Sequence, residues 1–185
     1  MIQRHIEWFF TLLRKRKKQA SARLLQVFLT NTLSGQKELF IPGKPGLALI
    51  YSCGPTVYSR AHIGNLRAYV FSDTIARLLT ATGYRVRRVI NITDVGHLVG
   101  DGDDGDDKMS VGAARERTTP EMIATRYTKL FIEDIHALNI DTDSITFPRA
   151  TEYIKEQIAL AKTLEENGFA YRLSDGLYFD TQKFP

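Results

Sequence analysis

The stretch Tyr51-Ser52-Cys53-Gly54-Pro55-Thr56-Val57-Tyr58-Ser59-Arg60-Ala61-His62-Ile63-Gly64-Asn65 decides how the chain is read. An apolar run from Leu47 to Tyr51 leads into it, and a long amphipathic segment follows from its end. The pattern is strand, loop, helix. In an open parallel sheet, ligands bind at the carboxyl ends of strands, where a helix N-terminus offers N–H groups and a partial positive charge. A phosphate site is therefore predicted at this loop. Gly64 permits close approach of the backbone, and His62 and Asn65 supply hydrogen-bond donors for phosphate oxygens. Cys53, at the end of the strand, is expected to face the same crevice.

Working outward, the helix opening near Gly64 or Asn65 presents Leu66, Tyr69, Val70, Asp73, Ile75, Ala76, Leu78 and Leu79 at helical spacing, and Gly83 is its C-terminal stop. Tyr84 to Ile92 reads as a second strand, which makes a right-handed crossover and a parallel pair. That strand ends at Asn91-Ile92-Thr93-Asp94, so Thr93 arrives at the same crevice as Cys53. On these residues alone, the strand end is more often the pattern of a simple turn. Upstream, Val27 to Pro42 reads as strand, turn at Ser34-Gly35, and extended return, followed by the turn Gly43-Lys44-Pro45-Gly46. Downstream, Thr119-Pro120-Glu121 starts a helix whose apolar face is Ile123, Tyr127, Leu130, Phe131 and Leu138, with His136 at the surface. From Pro148 a third helix shows Ile154, Ile158, Ala161 and Leu164 and stops at Asn167-Gly168. A hairpin then joins Phe169–Leu173 to Leu177–Asp180 through Ser174-Asp175-Gly176.

With 185 residues the chain suits one domain, or one with a small appendage. No apolar run approaches the ~18 residues of a membrane span. The single cysteine excludes an internal disulfide and favours a reducing, cytoplasmic setting. Charge is unevenly spread: residues 1–25 hold seven basic side chains against Glu7, a net +6, so the remainder is −2 within the overall +4. Ile2, Ile6, Phe9 and Leu13 at helical spacing precede Arg14-Lys15-Arg16-Lys17-Lys18. This basic amphipathic arm suits an RNA backbone or a membrane surface, or an organelle-targeting segment, and equally a solvated extension. Asp101 to Asp107 imitates a calcium loop, but with Gly105 at the sixth position Val111 stands where a Glu is needed, so a solvated acidic loop is expected. His97 beside it is read as a surface residue rather than a metal ligand.

Cys53-Gly54-Pro55-Thr56-Val57-Tyr58, then His62-Ile63-Gly64-Asn65, then Asn91-Ile92-Thr93-Asp94 resemble, in this order and spacing, the cysteinyl-tRNA synthetases of the class I aminoacyl-tRNA synthetases. The likeness runs from about Leu25 onward and includes Asn31 to Gly35, Ala137 to Ile140, Pro148 to Thr151 and Tyr178 to Asp180. It implies an α/β fold, the first part of a Rossmann-like class I catalytic domain with a parallel sheet, followed by the start of a connective-peptide insertion. The corresponding boundaries are 1–25 for the basic extension, 26–145 for the first half of the catalytic domain and 146–185 for the beginning of the insertion. Because the family's enzymes are much longer, an N-terminal part, inactive in aminoacylation by itself, is expected. Lys108-Met109-Ser110 begins like the Lys-Met-Ser-Lys-Ser signature of class I enzymes, but Val111 and Gly112 break it.

Residue by residue, the resemblance implies ATP contacts from Pro55, Thr56, Tyr58, His62, Gly64 and Asn65, with His62 and Asn65 as the catalytic pair. Gly54 and Thr93 lie against the substrate cysteine. Cys53 matches one of four zinc ligands, the other three being expected beyond the end of this chain. A soft thiolate binds zinc and a serine hydroxyl does not, so such a site selects cysteine without editing. In the implied reaction the cysteine carboxylate attacks the α-phosphorus of ATP, held with magnesium, and pyrophosphate leaves before the cysteinyl group passes to tRNA(Cys). No general base is needed, because the carboxylate is already a nucleophile. Two other readings fit less of the chain: a ligase joining cysteine to a sugar amine, whose motifs read Thr-Pro-Tyr and His-Leu-Gly-His, and a non-catalytic nucleotide- or RNA-binding fragment.

Overall fold

The computed structural model describes residues 25–96 and 108–183. The basic arm, His97, the Asp101–Asp107 run and Phe184-Pro185 lie outside the described residues. The described chain forms two compact units, residues 25–51 with 68–88, and residues 52–67 with 89–96 and 108–183.

The first unit begins with an antiparallel hairpin, β1 (Phe28–Asn31) and β2 (Gln36–Leu39), with Phe28 opposite Leu39 and Asn31 opposite Gln36. Its turn follows from side chains that compete for backbone groups: Asn31 Oδ1 accepts from the Leu33 N–H at 3.0 Å, and Gly35 takes φ +68°. Strand β3 (Leu47–Ser52) and most of β4 (Arg85–Ile90) follow, with the body of helix α1 (Ile63–Ala81) between them. Helix α1 starts a residue or two earlier than the sequence pattern predicts. It stops as expected, with Gly83 at φ +97° and the Tyr84 N–H bonded to the Leu79 carbonyl at 3.0 Å.

Val27, Ala48, Leu79 and Tyr84 form the buried core of this unit, packed by Leu29, Phe40, Ile50, Ile75 and Val86. Phe40 meets Tyr84 edge-on at 5.4 Å. Ala48 and Ile50 are on the core side of β3, whereas Leu49 and Tyr51 on its other face are 67% and 68% exposed. The periodicity of α1 is only partly realised: Val70 and Leu78 are exposed, while Ser72 and Asp73 are buried. Asp73 is buried because β4 brings Arg88 to it, Nη1 to Oδ1 at 2.6 Å, and Arg88 is itself buried.

The second unit holds the loop after β3, the head of α1 and the rest of the chain. Helices α2 (Lys108–Glu116) and α3 (Pro120–Ala137) pack on each other. Thr119 caps α3 by accepting from the Met122 N–H at 3.3 Å, with Pro120 in the first turn, as the sequence predicts. His136 is exposed, as expected, and so is Leu138, which the spacing assigns to the apolar face. Phe131, Ile123 and Ile135 are the buried side of α3, and Phe131 meets Phe147 edge-on at 6.4 Å.

A short β5 (Ile145–Thr146) completes the strand order β3-β4-β5. The sheet is parallel at its carboxyl side, where Thr56 bridges Thr93 and Ile92 bridges Arg149. The Ile92 N–H donates to the Pro148 carbonyl at 2.8 Å, and the Ala150 N–H to the Ile92 carbonyl at 2.9 Å. A 3-10 turn (Ala150–Tyr153), helix α4 (Ile154–Glu166) and the antiparallel hairpin β6 (Ala170–Arg172) with β7 (Leu177–Phe179) end the described chain. The third helix therefore begins later than Pro148. Ile154 and Ile158 of its predicted apolar face are exposed, because nothing among the described residues covers that side.

Candidate active site

The loop from Cys53 to Asn65 and the strand end at Asn91–Asp94 come together in the second unit. Gly54 donates its N–H to Asn91 Oδ1 at 2.8 Å, and Asn91 Nδ2 donates to Thr93 Oγ1 at 3.1 Å. One amide side chain thus ties both residues read as facing the substrate amino acid. A Cβ placed on Gly54 would lie 1.4 Å from the Asn91 carbonyl oxygen. Glycine is obligatory there because two backbones meet at that point. The parallel ladder continues past it: the Thr93 N–H donates to the Pro55 carbonyl at 3.0 Å, and the Val57 N–H to the Thr93 carbonyl at 3.2 Å. Pro55 and Thr56 are therefore fixed by main-chain bonds, while Tyr58 lies beyond the ladder.

His62 and Asn65 form a reciprocal cap at the head of α1. The His62 N–H donates to Asn65 Oδ1 at 3.1 Å, and the Gly64 N–H donates to His62 Nδ1 at 3.1 Å. The Asn65 bond is the one a capping-box N3 side chain makes, while the His62 side chain accepts from the second helical residue, Gly64, rather than the third. Its chemical consequence follows from which atoms are used. A ring nitrogen that accepts a hydrogen bond carries no proton, so the neutral imidazole bears its proton on Nε2. With Oδ1 engaged, Asn65 likewise presents its amide Nδ2. Both side chains spend an acceptor on the backbone and keep a donor for a ligand, and both are exposed. A Cβ on Gly64 would come within 2.9 Å of His62 Cε1, so glycine here leaves room for the ring.

Cys53 stands directly after β3, at the strand end where the sequence puts it; its side chain is exposed, and its Sγ is 3.9 Å from the carbonyl oxygen of Gly54. Among the described residues no group of three or more His, Cys, Asp or Glu side chains is placed to hold a metal. The described residues therefore do not by themselves make a tetrahedral zinc site, which needs four ligands.

Several residues that carry the site were not singled out as site residues in the sequence. Asn91 stands inside a quoted motif, and its place at a strand end was the available signal. Asp94 accepts from the Thr151 N–H at 3.0 Å and from Thr151 Oγ1 at 2.7 Å, joining the second strand end to Pro148–Thr151. Arg60 makes a two-point pair with Asp134 of α3, Nε to Oδ2 at 3.1 Å and Nη2 to Oδ1 at 2.6 Å. The hydrogen bond from Arg60 holds the Asp134 carboxyl below its usual pKa, and the same bond raises that of Arg60. Arg115 of α2 donates from Nη2 to the Tyr58 carbonyl at 3.0 Å.

Known proteins resemble this chain in sequence and fold. A family profile described as "tRNA synthetases class I (C) catalytic domain" matches residues 39–185. A cysteine–tRNA ligase 1 of Burkholderia lata is 51% identical over 155 residues, 84% of this chain and 33% of the relative. A cysteine–tRNA ligase of Zymomonas mobilis is 50% identical over 157 residues, 85% of this chain and 30% of the relative. The chain thus spans about a third of the length of the curated relatives it matches. In fold it is similar to the LeuRS of Agrobacterium radiobacter K84, solved in a ternary complex with tRNA and LeuAMS, at TM-score 0.54 and 22% identity over 71% of this chain and 16% of that one. The parallel strand ends, the glycine-tight loop and a profile match over most of its length together show that the chain belongs to the family of class I (C) tRNA synthetase catalytic domains.

Proposed function

We propose that this chain supplies the cysteine- and ATP-binding part of a cysteine–tRNA ligase catalytic domain, whose products are cysteinyl adenylate and then cysteinyl-tRNA(Cys). The observation that carries the proposal is the pairing of two donor-presenting side chains, His62 and Asn65, with the Gly54–Asn91–Thr93 tether on neighbouring strand ends. The tether makes a rigid floor for a small amino acid, and the helix head presents N–H donors to phosphate oxygens. The cysteine carboxylate forms a new O–P bond at the α-phosphorus as the bond from that phosphorus to the bridging oxygen breaks, and pyrophosphate leaves with its electron pair. His62 Nε2–H and Asn65 Nδ2–H stabilise the phosphate charge as it moves outward, which is positioning and electrostatics rather than proton transfer. Pro55, Thr56, Tyr58 and Gly64 shape the ATP side of the crevice, and magnesium accompanies the triphosphate.

Cys53 belongs to the same proposal as one thiolate of a zinc site that selects cysteine over serine, with its other ligands outside the described residues. The segments 1–25, 26–145 and 146–185 are its basic extension, the first half of the catalytic domain and the start of the connective insertion. A cytoplasmic setting accompanies it, supported by the single cysteine. Among the described residues no helix is long and apolar enough to cross a membrane.

The test is ATP binding, cysteine binding and cysteine-dependent ATP–pyrophosphate exchange on the chain, with metal analysis of the same sample. Saturable binding of ATP and cysteine that His62→Ala weakens is the expected result. Exchange by the chain alone would show that no further polypeptide is required. Binding of RNA without any binding of ATP would overturn the reading.

A further inference from the structure

We propose that helix α2 is the clamp that sets Tyr58 in place, with Arg115 as a positioning residue and Gly112 as the position that lets the helix approach. This rests on the reading of Tyr58 as an ATP contact. The ladder that fixes Pro55 and Thr56 ends at the Val57 N–H, and the Tyr58 N–H turns back to the Thr56 carbonyl at 3.0 Å, so Tyr58 stands beyond the strand pairing. Three residues of α2 converge on Tyr58. Arg115 Nη2 donates to its carbonyl at 3.0 Å, and the ammonium of Lys108 stands 5.9 Å from the centre of its ring. Between them, a Cβ on Gly112 would meet the Tyr58 carbonyl oxygen at 3.1 Å and the Tyr58 Cβ at 3.2 Å.

Lys108, Gly112 and Arg115 are spaced i, i+4 and i+7, which is one face of a helix. A glycine in a helix interior costs helix stability, so its place at the point of closest approach is explained by the contact and not by the helix. The clamp is braced from behind. Glu116, next to Arg115, accepts from Arg126 Nη1 at 2.7 Å and from the Tyr127 hydroxyl, both on α3. The Arg60–Asp134 pair ties the same loop to α3 two residues farther on. None of the residues that hold Tyr58 belongs to the motifs that bind substrate; they act on the site through its loop.

The experiment compares the chain with Arg115→Ala, Arg115→Lys and Gly112→Ala. It reads the dissociation constant of Mg-ATP by equilibrium dialysis, the thermal midpoint, and hydrogen exchange at Tyr58–Ala61 and, as a reference, at Ile123–Phe131. Arg115→Ala is expected to weaken Mg-ATP binding about tenfold, the scale of one charge-assisted hydrogen bond, and to speed exchange at Tyr58–Ala61 with the reference unchanged. Arg115→Lys restores part of the affinity. Gly112→Ala gives the same loss of affinity although alanine is the better helix former, so its thermal midpoint does not fall with the binding. Unchanged affinity and unchanged loop exchange in Arg115→Ala would overturn the clamp, as would losses that only track the thermal midpoint. If the parent chain binds no Mg-ATP, the assignment of Tyr58 to ATP fails, and loop exchange alone still decides whether α2 holds it.

Discussion

The head and the body of helix α1 are built to opposite specifications. The head, from His62 to Asn65, is exposed throughout, with Ile63 at 86%, and its polar atoms are engaged in a reciprocal cap. The body buries Tyr69, Ser72, Asp73, Ala76 and Leu79, and its one carboxylate is locked to a buried arginine. A single helix thus carries a buried, ion-paired body at one end and, at the other, an exposed head where the proposed site lies. The difference teaches that lesions along it should separate stability from binding, and that residues reaching both will be rare.

Gly54→Ala should break the contrast altogether. Its Cβ has no room against the Asn91 backbone, so the strand ends must part, at a cost of about 4 kcal/mol or more. Urea unfolding is expected to show a lost or much earlier transition together with loss of cysteine binding. Asp73→Ala follows, at about 3 kcal/mol, because it leaves the buried Arg88 guanidinium without its carboxylate. It should lower the midpoint while leaving Mg-ATP affinity intact under conditions where the chain is folded. An affinity loss in that variant would show that the two ends of α1 are not separable. Asn65→Ala removes the cap acceptor for about 1 kcal/mol, yet should cost more in ATP binding than in stability.

The smallest effect concerns acid. The folded Asp134 carboxyl titrates below its ordinary value of 3.8 because Arg60 donates to it. A depressed carboxylate pKa stabilises the fold at pH values above the ordinary one, and that contribution is lost as pH falls through the folded value. Arg60→Ala should return the Asp134 titration, followed by carboxyl NMR, toward its ordinary range and make the acid limb of stability shallower. An unchanged titration would mean that the pair has no hold on the loop.

What was legible in the sequence was local. The strand–loop–helix around Cys53 to Asn65, the Thr119 cap and the Gly83 stop are set by neighbouring residues, and the structure has them. The pairings that decide burial were not legible. Asp73 took its place in a helical face by spacing alone, and only Arg88, brought beside it by the crossover, shows why a charge is tolerated there. The start of helix α2 shows in the sequence only as a Lys-Met-Ser-Lys-Ser signature broken by Val111 and Gly112, and the reason for that glycine lies in Tyr58, 54 positions away in sequence by their numbers. Two-residue β5 carries no periodicity of its own; it is a strand because β4 is beside it. The candidate site divides the same way: His62, Gly64 and Asn65 declare themselves in one tetrapeptide, whereas Asn91, Arg115 and Asp134 acquire roles only from the fold.

Asn91 also bears on how the protein ages. Asparagine deamidates when the next residue's backbone nitrogen attacks the side-chain carbonyl carbon to close a five-membered succinimide. Here that nitrogen belongs to Ile92, a bulky β-branched residue whose N–H is held by the Pro148 carbonyl at 2.8 Å, while the side-chain carbonyl oxygen is held by Gly54. The hydrogen bonds that shape the crevice thus restrain both partners of the ring closure. The same amide that ties Gly54 to Thr93 is shielded from becoming a carboxylate while the chain is folded, and unfolding removes that protection.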